Sequence, residues 1–300
     1  MKFGIYHLNY NLDRAALAIL EKKYETEISI LSFYRAWNNC KIEDDLPWLS
    51  WLLSAPKEIL LTWEPWSINS EFGVLEKQPH FSLINITAGA FDTYIRAFAS
   101  TLAACPKAIL LRPMHEMNGS WYPWGGTVNN NTPEEFLKAW NHIRTLFFEV
   151  GASNVKWVWS PYTSSYPDTQ ENRICNYFPG DDQIDMIALD GYNWGASTEW
   201  SKWHSFVDLF RDGYDIVTSL SRKPVIIGEV GCTELGGEKP DWISDMFSIL
   251  PSRFERIEAL IWFDINKECD WRIASSASSM RIFKSRSHIF LASCASCPIK

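Results

Sequence analysis

The chain of 300 residues has 28 basic and 36 acidic side chains, a net charge of −8 and 46% hydrophobic residues. This composition provides a large core and excludes a chain that is mostly disordered, and the negative charge disfavours general binding to nucleic acids. No apolar run reaches the roughly 18 residues that a membrane-spanning helix needs.

Eight short runs rich in β-branched and aromatic residues recur along the chain, and several of them are apolar without interruption. Uninterrupted apolar runs are typical of parallel strands that are covered by helices. The predicted strands, in chain order, are residues 2–9, 27–37, 58–66, 108–116, 155–162, 184–194, 223–231 and 259–266.

Helical patterns lie between these strands, and the clearest covers residues 132–150. Thr132 can cap this helix, Pro133 suits its first turn, and Glu135 completes a capping box. Apolar residues then recur on one face, and Gly151 ends the segment. Weaker helical patterns cover residues 13–24, 90–104 and 199–220.

Strands that alternate with helices predict an α/β protein, and one (β/α)₈ barrel of about 250 residues accounts for the length. We expect the barrel to occupy residues 1–286. Residues 287–300 are rich in Ser and Cys, fit no barrel element and are expected to form a C-terminal tail. A doubly wound open sheet is the alternative, although no G-x-G-x-x-G motif follows the first strand to support a dinucleotide-binding version.

The first ten residues lack the basic start, long apolar stretch and cleavage site of a signal peptide. We therefore expect a cytoplasmic protein, or a secreted one whose export signal is not part of this chain. The seven cysteines are scattered and too few for a disulfide-stapled scaffold. Cys294 and Cys297 form a lone C-x-x-C pair, which is a weak zinc motif. We expect this pair to be exposed and most other thiols to be buried and reduced.

Tryptophan is unusually frequent, with 16 residues, and aromatic residues make up 15% of the chain. A buried indole needs a partner for its N–H group, so a large excess is costly to place entirely in a core. One interpretation is a surface groove lined with flat rings, on which the C–H faces of sugars pack. The other is an aromatic-rich core.

Two of the predicted strands carry a glutamate at their carboxyl end, Glu116 in the fourth and Glu229 in the seventh. In a (β/α)₈ barrel, side chains at the carboxyl ends of the strands surround the active site. Opposed carboxyl groups about 5–5.5 Å apart support glycoside hydrolysis with retention of configuration, and about 6.5–9.5 Å leave room for a water molecule and inversion. The structural alternative is that each glutamate pairs with a cation, for which Arg112 is a candidate.

Other hydrolase motifs are missing from the sequence. His115-Glu116 does not continue as H-E-x-x-H, because Gly119 stands where the second histidine of a zinc protease would be. No G-x-S-x-G elbow or P-loop occurs, so a serine hydrolase or nucleotide-dependent enzyme has no motif behind it. We predict no metal and no cofactor.

Four segments of the sequence resemble the motifs of a known family: RPMHEMNGSWYPWG at 112–125, DGYNW at 190–194, GEVG at 228–231 and ALIWFDIN at 259–266. The family is glycoside hydrolase family 26, which contains retaining β-mannanases, mixed-linkage β-glucanases and β-1,3-xylanases. The resemblance implies a (β/α)₈ barrel with its catalytic carboxylates at the ends of strands 4 and 7. It also implies a polysaccharide or oligosaccharide substrate, and we expect a monomer that binds neither nucleic acid nor membrane.

Matching each motif to the family implies a role for individual residues. Glu116 would be the general acid/base and Glu229 the nucleophile. Tyr192 would hydrogen-bond the nucleophile, and Arg112 would neutralise its surroundings. His115 would bind sugar beside the cleavage point, Trp121 would line the groove, and Trp262 would be a platform under the sugar. Asn118, Trp124 and Trp194 are further residues expected to bind substrate, and for Trp124 and Trp194 core packing is the alternative.

The sequence therefore predicts a retaining endo-β-glycosidase that hydrolyses internal β-1,4 bonds of a β-mannan or a mixed-linkage β-1,3-1,4-glucan through a glycosyl–enzyme intermediate. Pro123 interrupts the aromatic run that mannanases of the family carry. This departure counts against mannan and leaves a mixed-linkage glucan or a bacterial exopolysaccharide open. Hydrolysis of β-1,3-xylan is a further alternative. A non-catalytic carbohydrate-binding barrel and a structural protein are the alternatives from other functional classes.

Overall fold

The computed structural model describes residues 1–7, 14–68 and 77–295, with side chains through Ser287. Eight parallel strands form a closed barrel in sequence order, and the last strand pairs with the first. The strands are β1 Lys2–Tyr6, β2 Ile30–Ala36, β3 Glu58–Glu64, β4 Ile109–Pro113, β5 Val155–Trp159, β6 Met186–Asn193, β7 Val225–Cys232 and β8 Ile257–Phe263. The predicted (β/α)₈ barrel is confirmed, and the open sheet is wrong.

Helices surround the barrel and connect its strands. They are α1 Arg14–Tyr24, α2 Ile42–Leu53, α3 Leu83–Thr87, α4 Asp92–Ala103, α5 Pro133–Glu149, α6 Phe206–Leu220, α7 Lys239–Arg253 and α8 Ala277–Ala295. The connection between β5 and β6 contains two short 3₁₀ helices, Ile174–Tyr177 and Asp181–Gln183, in place of an α-helix. No helix within the described ranges is both long and apolar enough to cross a membrane.

The capping box of α5 is confirmed, because the Thr132 hydroxyl accepts from the backbone N–H of Glu135 and the Glu135 carboxylate accepts from that of Thr132. Helices α2, α3, α7 and α8 were not predicted. Pro47 lies inside α2 and Pro251 inside α7, and proline normally interrupts a helix.

Helix α8 crosses the predicted boundary between barrel and tail without a break and ends at Ala295. The backbone of residues 287–295 therefore belongs to the eighth barrel helix, and the expectation that these residues fit no barrel element is wrong. Residues 296–300 and the side chains of Cys294 and Cys297 lie outside the described part. Of the other cysteines, Cys105, Cys232 and Cys269 are buried, Cys40 is half-buried and Cys175 is exposed, all with free thiols.

Seven of the tryptophans are completely buried: Trp37, Trp63, Trp124, Trp140, Trp159, Trp262 and Trp271. Most of them belong to the large core between the barrel and its helices. The groove interpretation of the tryptophan excess is therefore wrong for these seven side chains, and the aromatic-rich core accounts for them.

The lower half of the barrel interior is a compact apolar layer, which we call the floor. It is formed by Ile30, Leu60, Val158, Ala188, Ile226, Ala259 and Ile261. Side chains along a strand alternate between its two faces, so the residue two positions further along each strand also points inward. Those residues form the upper layer, which we call the mouth, at the carboxyl ends of the strands.

Candidate active site

Glu116 lies in a tight turn three residues beyond the end of β4, not in the strand as predicted. Met114 and Glu116 have backbone φ angles of 49° and 52°, a left-handed conformation that side chains larger than glycine adopt rarely. The Glu116 backbone N–H donates to the Ser160 carbonyl at 2.7 Å, which fastens the turn to the end of β5. Strained backbone of this kind often occurs at functional sites.

Glu229 lies inside β7, which continues to Cys232. Ile227 packs in the outer core and Ile226 in the floor, so regular alternation would place Glu229 on the outer face with Ile227. The register shifts here relative to both neighbouring strands, and the bulge turns Glu229 into the mouth. Bulges commonly redirect side chains next to active sites.

Arg112 is completely buried at the centre of the mouth. Its guanidinium donates to Asp190 Oδ1 at 2.8 Å, to Glu229 Oε1 at 2.6 Å and to the Thr62 hydroxyl at 2.6 and 2.8 Å. A Cβ atom on Gly228 would lie 2.6 Å from the Asp190 carboxylate and 2.8 Å from the guanidinium. Glycine is therefore required at position 228 for the ion pair to form.

Both oxygens of Glu229 receive donors. Arg112 donates to Oε1, and the Tyr192 hydroxyl donates to Oε2 in a very short hydrogen bond. Charge-assisted hydrogen bonds are stronger than neutral ones, so these two partners stabilise a negative carboxylate at this position. The structure places Arg112 and Tyr192 against Glu229, where the sequence predicted them to act.

Glu116 has a different environment. It is 5% exposed, and its Oε2 accepts from the Trp121 indole N–H at 2.5 Å. Burial raises the pKa of Glu116 well above its usual range, and the negative charges of Glu229 and Asp190 raise it further. Trp121 reaches this position because its ring lies directly against Gly119, where a Cβ atom would be 2.4 Å away.

One oxygen of Glu116, one of Glu229 and a ring nitrogen of His115 lie within 4.8 Å of one another. The two carboxylates are therefore close enough for one to reach the anomeric carbon of a sugar while the other reaches its glycosidic oxygen. The three groups could also act as metal ligands. However, the positive Arg112 guanidinium lies 2.6 Å from Glu229 and disfavours a second cation there.

His115 is buried next to the two carboxylates, and its side chain is only 1% exposed. Its Nε2 is 3.8 Å from Glu229 Oε1, and neither ring nitrogen has a hydrogen-bond partner. Burial and the nearby Arg112 charge lower the pKa of His115 well below its usual range, so the ring is neutral and buried against Tyr122 and Trp124.

Three residues predicted to bind substrate have other positions. The Asn118 side chain is fully buried and bonded to backbone groups of the β5 loop, with both its amide and its carbonyl used by Tyr162. Trp124 is buried and donates to the His115 carbonyl at 2.7 Å. Trp262 faces outward, donates to the Trp271 carbonyl at 2.7 Å and has no exposed surface. These three predictions are wrong, because each side chain is buried and hydrogen-bonded within the protein and leaves no surface for a substrate.

Trp194 is half-buried, and its ring contacts Trp271 at a centroid distance of 4.8 Å. Trp194 directly follows the last residue of β6, so it lies at the rim of the mouth. Trp121 is also half-buried and packs against Tyr162 at 5.3 Å. Both tryptophans keep part of their surface exposed, and Trp121 is in direct contact with Glu116.

Glu64 and Asp190 are two further buried carboxylates that the sequence analysis did not select as site residues. Asp190 accepts from Arg112 and, at 2.9 Å, from the Ser160 hydroxyl. Glu64 ends β3, and burial raises its pKa to about 8, with the charge of Glu229 adding to the effect. A sequence signal was present, because ILLTWE is an apolar strand ending in a glutamate, the same pattern that pointed to Glu116 and Glu229.

A sequence profile of glycosyl hydrolase family 26 matches residues 23–229 of the chain. Endoglucanase H of Acetivibrio thermocellus is 36% identical over 229 residues, which are 75% of this chain and 24% of that protein. The mannan endo-1,4-beta-mannosidase of Bacillus subtilis strain 168 is 30% identical over 129 residues, which are 41% of this chain and 30% of that protein. The matches thus span about a quarter of the length of these relatives.

The fold also has solved counterparts. The catalytic domain of the GH26 endo-beta-1,4-mannanase of Bacillus sp. JAMB-750 superposes with a TM-score of 0.70 and 14% identity, over 96% of this chain and 85% of that one. At this level of identity the likeness establishes the shared barrel, and the chemistry has to be argued from the residues of the site.

Proposed function

The chain belongs to glycosyl hydrolase family 26, and we propose that it is a retaining endo-β-glycosidase that acts by double displacement. The observation that carries the proposal is the pair Glu116 and Glu229, whose carboxylate oxygens approach within 4.8 Å in opposite electrostatic environments. Glu229 has a cation and a hydroxyl donor on its two oxygens. Glu116 is buried beside negative charge, which favours its protonated form.

In the first step, Glu229 attacks the anomeric carbon while the protonated Glu116 gives its proton to the departing glycosidic oxygen. The bond from the anomeric carbon to that oxygen breaks, a glycosyl ester to Glu229 forms, and the leaving part of the chain departs as an alcohol. Arg112 and Tyr192 hold the Glu229 carboxylate at the position from which it attacks.

In the second step, Glu116 takes a proton from a water molecule, which attacks the anomeric carbon and releases the sugar from Glu229. The change of role follows from the charges in the site. While Glu229 is an anion, it raises the pKa of Glu116, and once Glu229 is esterified this negative charge is gone. The pKa of Glu116 therefore falls when it has to act as a base.

We propose that the preferred substrate is a mixed-linkage β-1,3-1,4-glucan and that a β-mannan is the second candidate. Endoglucanase H shares 36% identity over three quarters of this chain, whereas the Bacillus subtilis mannosidase matches less than half of it. Pro123, which interrupts the aromatic run after Glu116, supports the same order.

The proposal is tested by incubating the protein with barley β-glucan, lichenan, glucomannan, galactomannan, β-1,3-xylan and a cellulose derivative. Reducing ends should appear, with the highest rate on a mixed-linkage glucan, and proton NMR of the first products should show the β-anomer. An α-anomer as first product would contradict double displacement. Binding of these glycans without release of reducing ends would favour a non-catalytic barrel, and preferential release from galactomannan would reverse the order of substrates.

A further inference from the structure

Trp200 is the most exposed tryptophan of the chain, with 73% of its surface accessible. It lies on the loop between β6 and α6, and its ring contacts that of Trp194 at a centroid distance of 5.3 Å. A single exposed apolar side chain is common on protein surfaces, whereas exposed apolar side chains that contact one another commonly mark a binding surface.

An unbroken series of ring contacts joins Trp200 to the carboxylate pair. Tyr192, which donates to Glu229, packs on Trp271 at 5.0 Å, and Trp271 packs on Trp194 at 4.8 Å. Trp194 in turn contacts Trp200. The series runs from the buried mouth to the open surface, and three ring contacts separate Trp200 from the hydroxyl that holds Glu229.

The loop that carries Trp200 is braced on both sides of the ring. The Ser201 hydroxyl donates to the Gly195 carbonyl at 2.8 Å and accepts from the Thr198 hydroxyl at 2.8 Å. Gly195 has a φ of 51°, and a Cβ atom there would lie 1.9 Å from the Leu235 carbonyl oxygen. The Ala196 backbone N–H donates to the Leu235 carbonyl at 2.9 Å and fastens the loop to the neighbouring loop after β7. This presents the Trp200 ring in a fixed place at low entropic cost.

We propose that Trp200, together with the exposed face of Trp194, is a platform for a sugar unit of the β-glycan that lies outside the pair of units flanking the cleaved bond. The occupant is a pyranose, because its C–H face fits a flat indole and because ring contacts that pass through the buried Trp271 join the platform to the Tyr192 hydroxyl that holds Glu229. The members of the ring series are themselves aromatic and uncharged, which suits a neutral sugar chain. This inference rests on the proposed function, since it assigns that same substrate a further contact.

The test measures binding of short and long oligosaccharides from barley β-glucan, and of the polymer itself, by calorimetry to the Glu116→Gln protein with and without Trp200→Ala. Affinity should rise with chain length in the protein that keeps Trp200. In Trp200→Ala, affinity for the long chains and the polymer should fall by about three- to tenfold, and Trp200→Phe should restore most of it.

Phe148→Ala is the matched control, because Phe148 is 86% exposed on the outer helix α5 and its removal should leave binding unchanged. Equal affinities with and without Trp200 would overturn the platform, as would the absence of binding to any of these glycans. Loss of long-chain affinity in Trp200→Ala, in a protein whose wild type hydrolyses nothing, would support the platform and reject the proposed hydrolysis. The two ideas therefore fail in different measurements.

Discussion

The floor and the mouth of the barrel are built by the same strands, two residues apart, yet they differ completely in chemistry. On β4 the inward residue changes from Leu110 to Arg112, and on β6 from Ala188 to Asp190. The floor is apolar and tightly packed, whereas the mouth holds one cation among buried carboxylates. A barrel of this kind separates stability from function along its axis, so substitutions in the two layers should have different effects.

The largest effect is expected at Glu116. Glu116→Gln removes the proton donor of the mouth, and the turnover number should fall by about 10²–10⁴-fold. The unfolded chain ionises this carboxyl near its ordinary pKa, while the folded protein holds it protonated to a higher pH, so the native residue costs stability as pH rises. Glutamine removes that cost, and thermal unfolding at neutral pH should show a higher Tm than the wild type.

Unchanged turnover in purified Glu116→Gln would contradict the assigned role. A lower Tm at neutral pH would show that the carboxylate stabilises the fold, and the separation between mouth and floor would then fail for this residue.

Arg112→Met tests the ionic part of the mouth. Removal of one member of a buried ion pair leaves the others uncompensated, at a cost of about 3–5 kcal/mol, since Asp190 and Glu229 would lose their shared donor. We expect a matching fall in the free energy of unfolding in urea, together with loss of activity. Arg112→Lys restores the charge without the fork that serves both carboxylates, so it should recover stability better than activity. Full activity in Arg112→Met would show that the guanidinium does not position Glu229.

Ile261→Ala is the corresponding change in the floor, where Ile261 is 1% exposed. Deletion of a buried isoleucine side chain costs about 2–5 kcal/mol, depending on how far the cavity collapses. Unfolding in urea should show this loss, while the turnover number of the folded protein at a moderate temperature should stay close to the wild-type value. A large fall in turnover without loss of stability would mean that the floor positions the carboxylates directly.

The sequence predicted the barrel well because its strands are continuous apolar runs and its helices are periodic. The same continuity hid which way the strand residues face. In β8, both faces are buried, so no polar alternation showed that Trp262 points to the helices and Phe263 to the mouth. The bulge that turns Glu229 inward likewise depends on the pairing of three strands, which local sequence does not contain.

Glu116, Glu229, Arg112 and Tyr192 were placed together correctly through the family resemblance, whose motifs follow the ends of particular strands. Glu64 was not predicted as a site residue, although the strand before it has the same pattern, because none of the four motifs of the resemblance contains it. Asn118 and Trp124 lie inside the first motif, yet both are buried, so membership of a motif does not by itself place a side chain against the substrate.

The smallest effect concerns Glu64, a carboxyl of the mouth that forms no ion pair within 4.0 Å among the described residues. Burial raises its pKa to about 8, against about 4.3 for an unperturbed glutamate. Between these two pKa values the unfolded chain has lost the proton and the folded chain has kept it. The free energy of unfolding therefore falls as pH rises, by at most about 1.4 kcal/mol per pH unit.

Glu64→Gln tests this effect, because glutamine does not titrate. The free energy of unfolding of Glu64→Gln, relative to that of the wild type, should increase by about 1 kcal/mol from pH 6 to pH 7. Glu58→Gln, at the exposed amino end of the same strand, is the control, and its difference from the wild type should stay constant. Urea unfolding at the two pH values measures both, and equal slopes for Glu64→Gln and the wild type would show that the folded protein ionises Glu64 as readily as the unfolded chain.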